Sequence, residues 1–108
     1  MSAPFVTTLR TRGSTIRIAP EGAATITIRV EMAEVWDVVR IEAAPTQPVI
    51  EVKTAALHAL FPEATAPDEM VIKLRGWEIL DEMASLADCG VKDGSILLLT
   101  FRRRRPVR

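Results

Sequence analysis

The hydrophobic period of this chain switches once and then switches back, and that constrains its fold more than any other feature. Ala24–Val30 (ATITIRV) alternates, with Ile26, Ile28 and Val30 on one side and Thr25, Thr27 and Arg29 on the other, as a half-buried strand does. WDVVRIEA, residues 36–43, alternates again, setting Val39 and Ile41 against Arg40 and Glu42. The short EMAEV connection between them favours an antiparallel hairpin. The period then becomes helical, with Val49, Val52, Ala56 and Leu60 recurring on one face and Lys53 set among them. Thr46 is expected as the N-cap, Pro48 falls in the first turn, and Pro62 stops the helix near Phe61. MVIKLRG returns to alternation, with Ile72 and Leu74 inward, Lys73 and Arg75 outward, and Gly76 at the end. SILLLTF, residues 95–101, is apolar almost throughout, which suits a central strand.

Strand, strand, helix, strand, loop, strand, with the last strand beside the first, is an α+β arrangement. We expect a mixed four- to five-stranded sheet with one helix packed across it. Residues 77–94 lack a clean period and read as a meandering loop anchored by Leu80, Leu86 and Val91, with a short helix at 85–89. EATAPDE reads as a polar loop turning at Pro67–Asp68. Residues 1–22 are an extension, either a flexible arm or extra strands, set off by a turn at Pro20–Gly22. The folded domain is expected over 23–102, with a basic tail at 103–108.

At 108 residues, 48% hydrophobic and 26% charged, the chain suits one globular domain. Its longest strongly apolar stretch, Ile96–Leu99, is far short of the ~20 residues that cross a bilayer. The opening MSAPFVTTLR lacks a secretory pattern, and the lone Cys89 implies no oxidising compartment. These point to a cytoplasmic protein. Arg102, Arg103, Arg104, Arg105 and Arg108 give the last seven residues a charge of +5 and leave −5 on the rest. Such asymmetry suggests an anionic or acidic contact for the tail. No aromatic residues interleave these arginines, which argues against nucleic acid.

No residue pattern points to catalysis, a cofactor or a metal. A nucleophilic cysteine needs a base, and nothing places the single histidine, His58, near Cys89. Asp88 is expected to cap a turn and Cys89 to pack as a small hydrophobe. Asp81–Glu82 and Asp68–Glu69 read as solvated loop carboxylates. One histidine and one cysteine make no metal motif. The glycines around VKDG make a turn and no phosphate loop. Trp36 opens a strand and is expected partly buried. Trp77, after Gly76, is either a binding anchor or a lid over the loop.

From Ala24 to Arg102 the chain resembles a ubiquitin-like β-grasp domain. Pro67-Asp68-Glu69 follows the helix as a proline–aspartate turn does there. VIKLRG resembles the third strand of that fold, and Leu86, Asp88 and Val91 its leucine–aspartate–isoleucine loop. LADCGVKDGSILLL and VWDVVRIEA are more specifically similar to bacterial YukD-like proteins, which accompany type VII secretion. That resemblance implies a protein-binding module. It also leaves two alternatives: a covalent modifier or sulfur carrier, and an accessory subunit of an oxygenase-type complex.

A conjugated modifier of that family ends in a glycine pair, whose bare backbone enters narrow enzyme channels. Here Arg103-Arg104-Arg105-Pro106-Val107-Arg108 follows instead, so a non-conjugated role is expected. The family's binding patch maps onto Lys73, where the family has an isoleucine, and onto Leu98 and Thr100, with Arg75, Arg102 and Trp77 nearby. These six residues are the expected protein-binding surface, basic and suited to an acidic or membrane-associated partner. Arg103, Arg104, Arg105 and Arg108 are the expected anion contacts.

Overall fold

A computed structural model describes residues 15–63 and 69–102. The expected turn at Pro67–Asp68 and the arginines at 103–105 and 108 fall outside the described residues. The strands are β1 (Thr15–Arg17), β2 (Ile26–Met32), β3 (Asp37–Ala43), β4 (Met70–Leu74), β5 (Trp77–Glu78) and β6 (Ile96–Phe101), with one helix, α1 (Val49–Leu60). They form a single sheet in the order β1-β3-β2-β6-β4-β5. Pairing is parallel for β1–β3 and β2–β6, and antiparallel for β2–β3, β4–β6 and β4–β5. The α+β expectation holds, but the sheet has six strands. The two beyond the sequence pattern are its short edges.

Alternation puts Ile28, Val30 and Met32 of β2, Val39 and Ile41 of β3, Met70 and Ile72 of β4, and Leu97 and Leu99 of β6 on one face. Helix α1 covers that face with Val49, Val52, Ala56, Leu57 and Leu60. β6 lies between β2 and β4, with Leu97 and Leu99 buried under the helix and Ile96, Leu98 and Thr100 on the other face. β2 runs to Met32, two residues into the stretch expected as a connection, and the chain then turns through a 3₁₀ segment, Ala33–Val35.

The helix start differs from expectation. Thr46 is exposed and does not cap; the N-cap is Pro48, with no side-chain cap bond. The helix's first donors are satisfied by the distant loop instead. Val49 N–H donates to Ala84 O (3.0 Å) and Ile50 N–H to Glu82 O (2.8 Å). In return Leu86 N–H donates to Gln47 O and Ala87 N–H to Pro45 O, both at 2.9 Å. This clamp holds residues 81–91 in turns, so the short helix expected at 85–89 is absent. Ser85, rather than Asp88, supplies the capping oxygen, accepting Asp88 N–H at 3.1 Å. Gln47 ties the extension down as well, donating to Ile18 O at 3.0 Å. The Pro20 turn closes with Ala23 N–H to Pro20 O.

Candidate functional site: the uncovered face of the sheet

The same alternation that fills the core leaves the other face to polar and intermediate residues. Register aligns one row across five strands: Val38 opposite Glu31, Glu31 opposite Leu98, Leu98 opposite Lys73, and Lys73 opposite Glu78. Leu98 is therefore an apolar centre between a carboxylate and an ammonium. Ile96 lies two residues away on the same face and is exposed. Arg29 pairs with Glu31 at 3.3 Å. Among the described residues Lys73 makes no ion pair.

Two open grooves flank Leu98. One, of ≈ 450 Å³, runs from Leu98 past Arg29 and Val38 to Trp36. The other, of ≈ 570 Å³, runs past Ile96 and Lys73 to Arg75 and Lys92. Glu31 and Leu98 line both.

The outer ends of these grooves carry the two non-glycine residues with positive φ among the described residues, Trp36 and Arg75, each at 54°. Trp36 follows the 3₁₀ segment and closes it by donating its N–H to Ala33 O. It is 92% exposed, so the expectation of a partly buried tryptophan is overturned: the left-handed turn points the ring out of the sheet. Arg75 and Gly76 (φ 85°) are both left-handed between paired Leu74 and Trp77. This is a two-residue type I′ hairpin turn. It creates β5, which the sequence pattern does not show.

The six expected contact residues divide. Lys73 and Leu98 are direct register partners on the open face. Thr100 is on that face too, but its hydroxyl already donates to Glu34, which also accepts Phe101 N–H at 3.2 Å. Arg102 reaches across β4 to Glu78, at 3.4 Å. Trp77 is opposite Leu74, whose side chain packs against the core. It therefore projects to the helix side, into a separate groove of ≈ 380 Å³ with Leu80, Asp81 and Cys89. It is 79% exposed and no lid. Arg75, at the hairpin tip, lines both sides. Trp36, Glu31, Ile96 and Lys92 were missed as surface residues, because only strand register shows that they surround Leu98.

Cys89 is half-buried against the core. Burial pushes its thiol up, and the carboxylates of Asp81 and Asp88 push it further. Glu82 is not a solvated carboxylate as expected, since it is the partner of buried Lys53. His58 is exposed on α1. Among the described residues no three metal-binding side chains cluster, and no helix is long and apolar enough to cross a membrane.

No protein-family profile and no curated protein sequence matches this chain. Solved structures do. A ubiquitin-like domain from Arabidopsis thaliana aligns over 84% of this chain and 92% of its own, with a TM-score of 0.62 and 18% identity. The ubiquitin of Caldiarchaeum subterraneum aligns over 77% of this chain and 100% of its own, at 0.62 and 24% identity. The C-terminal ubiquitin-like domain of mouse tubulin-specific chaperone e aligns over 83% and 99%, at 0.59 and 16%. The fold is a ubiquitin-like β-grasp.

Proposed function

We propose that this chain is a non-conjugated, ubiquitin-like binding module that docks a protein partner on the open face of its sheet. One observation carries the reading: Leu98 lies between two grooves, the second holding Ile96, and their outer ends are Trp36 and Arg75, both held at positive φ. Left-handed non-glycine residues cost of order 1 kcal/mol or more each and cluster at contact sites. A tryptophan left in water has the chemistry of an interface anchor.

Two further features support the reading. The residues directly after β6 are Arg102 to Arg105 and Pro106, where a conjugated relative carries bare glycine backbone. A raised thiol at Cys89 opposes nucleophilic catalysis. The similarity of LADCGVKDGSILLL to YukD-like proteins favours a component or regulator of a type VII-like secretion system as the setting.

The test is affinity capture from the native cell, divided into native and fully denaturing halves and read by intact mass and partner identity. Partners present only in the native half, and lost on Leu98→Asp with Lys73→Glu, support the module. Adducts that survive denaturation would sink the non-covalent reading.

A further inference from the structure

A second surface lies apart from the open face. The described residues include six exposed large apolar side chains, and three of them fall within seven residues: Trp77 (79% exposed), Leu80 (83%) and Met83 (73%). They lie along and just beyond β5, at the sheet edge, where no further described strand pairs. Ile79, Leu74 and half-buried Cys89 line the groove beside them. Apolar side chains gathered on an unpaired edge invite a partner.

The charges say which partner. Arg75 precedes this segment and Asp81 follows it, and both line the groove. Arg75 has no ion-pair partner among the described residues. Asp81 uses Oδ1 to accept Met83 N–H at 3.1 Å, and its other oxygen has none among them. The two are equidistant in sequence from Glu78. A two-fold axis beside Glu78 would set two such segments antiparallel and bring each Arg75 against the other copy's Asp81. Glu78, which would lie near the axis, has its charge held by Arg102 at 3.4 Å. A surface with an apolar middle and opposite charges at its ends is self-complementary, as a two-fold interface requires.

We infer that the β5 edge, from Arg75 to Met83, binds a second copy of this chain in a two-fold pair. The contacts are reciprocal ion pairs from Arg75 to the partner's Asp81, with Trp77 and Leu80 buried between them and Met83 at the rim just beyond Asp81. This surface shares Arg75 with the docking face, but Asp81, Leu80 and Trp77 lie in the β5 groove alone, so loss of pairing in Asp81→Arg is distinguishable from loss of a partner at Leu98 and Lys73.

Sedimentation velocity over a dilution series tests it with the full chain. The wild type is expected to shift from one chain to two as concentration rises. Arg75→Asp and Asp81→Arg, each alone, place like charges together and are expected to remain monomeric. Mixed in equal amounts they restore both ion pairs, and the dimer is expected to return. That return cannot come from a folding defect in either variant. A wild type that stays monomeric throughout overturns the inference. So does a mixture of the two variants that stays monomeric while the wild type pairs.

Discussion

Lys53 Nζ lies 3.0 and 2.9 Å from the two carboxylate oxygens of Glu82. The lysine is 2% exposed, on the core-facing side of α1. Glu82 is in the loop whose carbonyls also accept the first N–H groups of that helix. One ion pair thus fastens the segment after β5 to the helix start.

Removing only the carboxylate leaves an ammonium buried and unpaired. Glu82→Ala is expected to lower unfolding free energy by about 3 kcal/mol, somewhat less if water reaches Lys53 once the partner is gone. Lys53→Met with Glu82→Gln removes both charges and is expected to recover most of that loss. Urea denaturation of the two variants checks both signs. Equal stability of the single and double variants would show that the pair contributes packing rather than charge compensation.

The Arg75–Gly76 turn predicts opposite effects at adjacent positions. Arg75→Asn puts a residue that tolerates positive φ into a type I′ turn and is expected to stabilise by roughly 0.5 kcal/mol. Gly76→Ala meets no atom within 4 Å but must hold φ at 85°, and is expected to cost about 1 kcal/mol. Thermal unfolding of the two variants reads the difference.

Trp36 separates stability from binding. Because it is exposed and left-handed, Trp36→Asn is expected to leave stability unchanged or slightly raised. If Trp36 anchors a partner, the same change weakens that complex by about 2 kcal/mol. Calorimetric titration with the captured partner, beside a melting curve, gives both numbers. Loss of stability without loss of binding would remove Trp36 from the docking face.

Cys89 offers a check on electrostatics. Its thiol is raised by burial, then by Asp81 and Asp88. Its iodoacetamide reaction at pH 8 is therefore expected to be slower than that of a free cysteine. Asp88→Asn removes one opposing charge, lowers the pKa and speeds alkylation. The raised pKa also has a stability sign. Its contribution is fully present below the unfolded thiol's pKa and is lost as pH rises through the folded one.

Much of this architecture is legible in the order of residues. Alternation over 24–30, 36–43 and 70–75 reports strands with one buried side. The apolar run at 95–101 reads as a central strand, and β6 is central, but its Ile96 and Leu98 face the open side of the sheet. The helical spacing from Val49 to Leu60 reports the one covering element, and Pro62 its end. The edges are less legible, for particular reasons: β1 is the extra-strand alternative within residues 1–22, and β5 gives no signal. β1 is three residues long and β5 two, too short for any period to show. The expected helix at 85–89 yields to hydrogen bonds with the α1 start, a competition that no local propensity contains.

The site divides in the same way. Composition along each strand settles which residues leave the core, so Lys73 and Leu98 stand out from the sequence. It does not settle who stands beside them. Val38, Glu31, Leu98, Lys73 and Glu78 become one row only through register between strands far apart in the chain. Trp36 points to solvent, Trp77 to the opposite side, and Glu82 into a buried pair, because turns and long-range pairing set those directions. Sequence by itself determined which faces are apolar, since hydrophobic period is local. Tertiary structure alone decided which polar residues meet, since cross-strand neighbours and ion-pair partners are set by how distant segments pack.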